Sequence, residues 1–157
     1  MSADDDPACA AARGEPTTES TRRRLAVIFR SPVADHLVSI GSQVGYVSAL
    51  FDPTVDDAWI DGDTDVVVTD HDRPELGSVL RDVLALKPRW VGVMGSVRHV
   101  APHLSALREL GVADEEIARV HRPIGLNIGS RTPPEIALAT VAGLLADRNN
   151  RPGGFGF

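Results

Sequence analysis

Cysteine is all but missing from this sequence. Cys9 stands alone, so no disulfide can form within the chain, and a reducing, cytoplasmic setting is expected. Aromatic side chains make up only 4%. That leaves the core to Val, Leu, Ile and Ala and removes the stacking platforms on which single-stranded nucleic acids are held. Positive charge is outweighed: 16 Lys and Arg against 22 Asp and Glu give a net charge of -6, so no nucleic-acid partner is expected. No apolar run approaches the roughly 20 residues that cross a bilayer, and no membrane role is expected either. Residues 1–24 lack the apolar segment of a secretory signal and have few large apolar side chains; Asp4-Asp5-Asp6 opens them and Arg22-Arg23-Arg24 closes them. They are expected to be a flexible tail, with the arginines a solvated lead-in and Cys9, which has no fixed base, incidental.

What is present suits one domain: 157 residues, 43% of them apolar. Residues 25–29 are an apolar run of strand length. Residues 33–44 carry Val33, Leu37, Ile40 and Val44 on one helical face, and 46–51 are a second apolar run. A strand, a helix and a strand within about thirty residues predict parallel strands joined by a crossover helix. Residues 65–69, with Val66, Val67 and Val68 consecutive, read as a third strand buried on both faces. A helix over 74–86, a fourth strand over 89–94, a helix from the Gly95-Ser96 turn to about residue 110, a short fifth strand over 119–121 and a final helix from 133 to about 147 complete the pattern. The fold class is therefore α/β: a Rossmann-like, doubly wound, mostly parallel five-stranded sheet over residues 25–150, with helices on both faces and a short flexible tail at 151–157.

Ligands of such sheets bind beyond the C-terminal ends of the strands. After the first strand, a Gly-x-Gly-x-x-Gly turn would mark a dinucleotide site. Phe29-Arg30-Ser31-Pro32-Val33-Ala34 stands there instead, so NAD(P) is not expected, although Asp52 lies about twenty residues on, where a ribose-binding acid belongs. Asp70-His71-Asp72 follows the third strand. Asp72 is predicted to cap the next helix; His71 either faces a ligand or belongs to the turn. Gly95, Ser96 and Arg98 form either a phosphate contact or a serine cap beside a solvated arginine. His99 and His103 have zinc-ligand spacing on the predicted helix, but Pro102 intervenes and no third ligand is evident, so no metal is expected. Trp59 covers a ligand or packs over the sheet edge. In the stretch 122–137, Thr132 is a predicted N-cap with Glu135 at capping-box spacing and Pro133 at the first helical position. Gly125 and Gly129 precede it. They either leave N–H groups free for an anion or let the turn pack closely.

Met94-Gly95-Ser96, His121-Arg122-Pro123-Ile124-Gly125-Leu126-Asn127-Ile128-Gly129 and Thr132-Pro133-Pro134-Glu135-Ile136-Ala137 resemble the signature of the xanthine dehydrogenase accessory (XdhC/CoxI) family. The resemblance covers residues 25–150, that family's C-terminal Rossmann-like domain, and Asp70-His71-Asp72 falls where the family carries a His-Asp pair. It implies a maturation chaperone rather than an enzyme, one that binds the molybdenum cofactor (molybdopterin), protects it during sulfuration and passes it to a xanthine or carbon monoxide dehydrogenase apoenzyme. The candidate cofactor-binding residues are Asp52, His71, Gly95, Ser96, Arg98, Gly125, Asn127, Gly129 and Thr132. Expected partners are the molybdenum hydroxylase apoenzyme, a sulfurating enzyme or separately encoded N-terminal-type domain, and a second copy of the chain in a homodimer. The departures are specific. The family's Gly-Ala-Gly-His turn is replaced by Phe29-Arg30-Ser31-Pro32, its Asp after Gly-Leu by Asn127, and a serine of its last helix by Ala139. Its N-terminal domain has no counterpart in these residues. A stand-alone or specialised version is expected, with its ligand nearer Gly125 and Gly95 than Ser31. Two other readings stay open: a nicotinamide-dependent oxidoreductase using Asp52, and a cofactor-free adaptor for a full-length paralogue.

Overall fold

A computed structural model describes residues 7–14 and 23–156. Alternation along the strands explains the layering. Ala26, Ile28, Val66, Val68, Val91 and Val93 point to one face, where they pack with Leu76, Leu80, Leu84, Leu107 and Ile117. Leu25, Val27 and Val67 point to the other, against Leu37, Ala137, Val141 and Leu144. The strands are β1 (Arg23–Ile28), β2 (Tyr46–Phe51), β3 (Thr64–Val68), β4 (Trp90–Val93) and β5 (Val120–His121). They pair in the order β2-β1-β3-β4-β5, and every pairing is parallel. Helices α2 (Pro32–Gln43) and α6 (Pro133–Arg148) cover the second face; α3 (Leu76–Ala85), α4 (Pro102–Glu109) and α5 (Asp114–Ile117) cover the first. A short helix α1 (Pro7–Ala12) lies within the segment expected to be a tail, and Cys9 on it is exposed. Asp4-Asp5-Asp6 and Arg22 fall outside the described residues.

Several local expectations need correction. Strand β1 begins at Arg23, so Arg23 and Arg24 belong to the sheet. Arg24 Nη1 donates to the Trp59 carbonyl at 2.8 Å, and its guanidinium lies over the Trp59 ring. Trp59 packs edge-on against Phe51 of the edge strand β2, at 5.5 Å between centroids, so it covers the sheet edge. Asp72 does not cap α3. Asp70 Oδ1 accepts from the Asp72 N–H at 2.9 Å, and this Asx turn directs the chain away before the helix starts at Leu76. Nor does a helix follow directly from Gly95-Ser96. Pro102 has no N–H to donate and belongs in a first turn, so residues 94–101 stay a loop and α4 begins at Pro102. His99 is therefore in the loop, not four residues along a helix from His103.

At the N-terminal end of the strands a fully buried carboxylate, Asp65, ties the layers together. It accepts from Tyr46 Oη at 2.8 Å, Arg89 Nε at 2.6 Å and Arg148 Nε at 2.9 Å. Arg148, at the end of α6, also grips Asp63 through its carboxylate at 2.7 Å, and Arg89 reaches Asp147 at 2.6 Å. Burial, and then the neighbouring Asp65 charge, push the Tyr46 phenol far above its usual range, so it remains a donor.

Candidate functional site

The strand order reverses direction between β1 and β3, and the crevice there is where an open α/β sheet usually takes its ligand. Here that crevice is filled. Phe29, buried, adopts φ 74°, a left-handed conformation that bulky residues rarely take. Its N–H donates to the Phe51 carbonyl at 2.8 Å, and the Thr69 hydroxyl donates to its carbonyl at 2.8 Å. Ser31 Oγ accepts from the Ala34 N–H at 3.1 Å, capping α2, and lies 3.2 Å from Thr69 Oγ1. The Arg73 guanidinium sits 4.5 Å above the Phe29 ring. Asp52 is taken as well. Arg73 approaches it through two nitrogens, at 2.8 and 3.2 Å, and the Arg30 N–H donates to it at 2.8 Å. The Arg73 guanidinium, and then that N–H, hold the Asp52 carboxyl below its ordinary value. A ribose would have to displace both partners.

The turns after β4 and β5 are open. Because the two strands run parallel, both turns emerge at the same end of the sheet, and they enclose a cleft of about 630 Å³. That size suits a small-molecule ligand. Six of the predicted residues line it: Gly95, Ser96, Arg98, Gly125, Asn127 and Gly129. Ile128, Ile136, Leu126 and Ala139 add apolar surface. Among the described residues, the backbone N–H groups of Gly95, Ser96, Val97, Gly125, Asn127, Gly129 and Ser130 have no protein acceptor. The glycines explain the shape. Gly125 takes φ 88°, and a Cβ there would lie 3.3 Å from the backbone of Ala139 and Thr140, so the turn presses directly on α6. Gly95 leaves room for the Arg122 guanidinium, with which a Cβ would collide.

Three predicted residues lie outside that lining. His71 is adjacent: its Nδ1–H donates to the Met94 carbonyl at 3.0 Å, pinning the end of β3 to the start of the β4 turn. Its Nε2 is 3.6 Å from Asp72 Oδ1. Asp52 is on the filled side of the sheet. Thr132 forms the predicted capping box, and this leaves no anion site at the start of α6. One carboxylate oxygen of Glu135 accepts from the Arg131 and Thr132 N–H groups at 3.1 and 3.0 Å and from the Thr132 hydroxyl at 2.8 Å. Those bonds, the hydroxyl first, hold the Glu135 carboxyl below its usual range. The helix brings its own anion, and only the N–H groups further back in the turn stay open. Arg122 was not among the predicted residues. Its place just past a strand's C-terminal end was the available signal. A smaller cavity of about 250 Å³ lies between the loop after β2 and α3, with Asp57, Glu75 and Asp82 in its lining, which disfavours an anion. Among the described residues no His, Cys, Asp and Glu group could hold a metal ion, and no helix is long and apolar enough to cross a membrane.

Residues 25–144 match the XdhC Rossmann domain family. Over 121 residues, 76% of this chain and 38% of the relative, the sequence is 34% identical to the molybdenum cofactor insertion chaperone PaoD of Escherichia coli (strain K12). Over 89 residues, 57% of this chain and 16% of the relative, it is 43% identical to the uncharacterized protein YqeB of the same organism. The crystal structure of a Bacillus halodurans xanthine dehydrogenase shares the fold, with a TM-score of 0.65 at 22% identity over 82% of this chain and 45% of that one. This chain thus spans less than half the length of each of these proteins. The family match runs from β1 into α6 and takes in both turns of the cleft: the chain belongs to the XdhC Rossmann domain family.

Proposed function

We propose that this chain acts in the maturation of a molybdenum hydroxylase, holding the molybdenum cofactor in the cleft between the β4 and β5 turns and passing it to the apoenzyme. The observation that carries this reading is the cleft itself, with seven N–H groups that have no acceptor among the described residues. A pterin bearing a phosphate needs such donors for its anion, hydrogen-bonding groups for its ring edge and apolar surface for its ring faces. Ser96 and Asn127 supply the second, and Leu126, Ile128 and Ile136 the third. Arg98 adds positive charge in a chain of net charge -6. Val97, 75% exposed, and Ile128, 54% exposed, stand at the cleft and offer apolar contact to a receiving apoenzyme. The similarity to PaoD supports the same role. A nicotinamide-dependent oxidoreductase is disfavoured because Asp52 already holds Arg73 and the Arg30 N–H.

Retention of the cofactor is the test. Protein isolated from a molybdenum-replete cell is expected to carry molybdopterin, and Arg98→Gln is expected to lower the yield without altering stability. Absence of pterin here, with pterin present in a full-length family member handled identically, would overturn the reading. Capture of an apoenzyme in that case would point to the cofactor-free adaptor.

A further inference from the structure

A second pocket, of about 320 Å³, adjoins the cleft and shares Ser96, Val97 and Pro123 with it. Its walls also include His99, Ala101, His103 and Arg122. Two side-chain nitrogens here are buried and have no partner among the described residues: His103 Nδ1 and Arg122 Nε. Buried polar groups are nearly always hydrogen-bonded, and leaving one unpaired is costly. His103 is only 3% exposed. Among the described residues Arg122 has no carboxylate partner; its one hydrogen bond runs from Nη2 to the Ser96 carbonyl at 3.1 Å. It lies across the bare Cα of Gly95, which lets the guanidinium reach this position.

The backbone adds to the same imbalance. Helix α4 starts on this pocket, and its N-cap, Ala101, has no side chain to accept from the first turn. The positive end of that helix is therefore turned to the pocket with no side-chain acceptor; Pro102 has no N–H and the Leu104 N–H donates to the Ala101 carbonyl at 3.2 Å, which leaves the His103 N–H without an acceptor among the described residues. Among the described residues no Asp or Glu lines the pocket, although acids outnumber bases 22 to 16 in the chain. Burial, and then the Arg122 charge, hold His103 below its ordinary value, so its ring is neutral and donates through one nitrogen. Unpartnered nitrogens converge here beside one guanidinium that has no carboxylate partner among the described residues. An acceptor-rich anion would pair with Arg122 Nε and, with the imidazole proton on Nδ1, with His103.

We propose that this pocket binds a tetrahedral oxyanion, held by Arg122, His103 and the first turn of α4, and that the anion is the phosphate monoester end of the ligand in the adjoining cleft. The second clause rests on the reading of the cleft given above; the first does not. A ligand joining the two pockets would pass over Ser96 and Pro123, which line both.

Inorganic phosphate titrated into the full chain, followed by NMR of the imidazole and Arg Nε signals, tests the first clause. Saturable shifts at His103 and Arg122 are expected. Arg122→Gln is expected to weaken binding by at least about tenfold, since a charge-assisted hydrogen bond is lost, with partial recovery in Arg122→Lys. No shift at His103 and Arg122, or shifts confined to residues 95–98 and 125–130, would overturn the site. The wild-type titration decides this even where a variant does not fold. Guanosine monophosphate, a fused-ring monoester, compared with guanosine tests the second clause. Tighter binding than phosphate, with added shifts at Asn127 and Gly129, supports it. Affinity equal to phosphate with no cleft shifts shows a free-anion site and overturns that clause. Phosphate binding requires no pterin, so failure of the maturation reading leaves this result intact.

Discussion

The two ends of the sheet are built in opposite ways. At the N-terminal end, Asp65 is enclosed by Tyr46, Arg89 and Arg148, and the outer arginine nitrogens reach Asp63 and Asp147. Of the buried side-chain atoms in that group, Arg89 Nη2 alone lacks a partner among the described residues. At the C-terminal end, N–H groups of two turns and the buried Nε of Arg122 have no acceptor among the described residues. Charges matched within the chain stabilise it and have nothing left for a ligand. Donors left unmatched cost stability and create a binding surface. The C-terminal end itself is divided: the β1 turn is closed on itself, while the β4 and β5 turns are open.

Substitutions can break this contrast in a definite order. The largest loss is expected for Asp65→Ala, which strands two arginines near a buried site. About 3–5 kcal/mol should disappear in urea unfolding, with phosphate binding by the remaining folded protein unchanged. Gly125→Ala should follow, at about 1–3 kcal/mol, because a positive φ is forced on alanine while its Cβ meets the α6 backbone. Unlike Asp65→Ala it should also disturb the cleft, seen as shifted amides at Asn127 and Gly129. Thr132→Ala should cost about 1 kcal/mol through the lost cap, with the cleft amides unmoved. The smallest effect is on acid stability. Asp52 has its folded pKa below the unfolded value of about 4, so the stability it contributes is present above that pH and is lost as pH falls through the folded pKa. Arg73→Leu should flatten this acid limb of a stability-versus-pH curve; an unchanged limb would show that Arg73 is not what holds Asp52.

The sequence disclosed what local chemistry determines. The capping box of α6 needs only Thr132 and Glu135, three residues apart, and both were evident. The alternating cores of the strands and the crossover helix between β1 and β2 were legible from periodicity, and parallel pairing then brought the Gly95 and Gly125 turns to one end. Features that depend on distant partners were not. Asp65 reads as an acid at the start of a strand until Arg148, 83 residues away, is placed beside it. His103 and Arg122 come to one pocket only because the two-residue strand β5 pairs with β4. The start of α4 was misread although Pro102 marked it, because Gly95-Ser96 offered a competing start signal seven residues earlier. The closure of the β1 turn was half legible. The missing glycines were plain, but the Thr69 hydroxyl and the Arg73 side chain that hold it shut come from a different strand and its following turn.

The Arg73–Asp52 pair has a consequence for competition. Arg73 is attached to the same chain as the carboxylate it occupies, so any ribose approaching Asp52 contends with a tethered rival, always present at a high effective concentration. Raising the amount of free dinucleotide does not dilute that rival. A ribose at Asp52 would bind more weakly in proportion to the share of time that Arg73 holds the carboxylate.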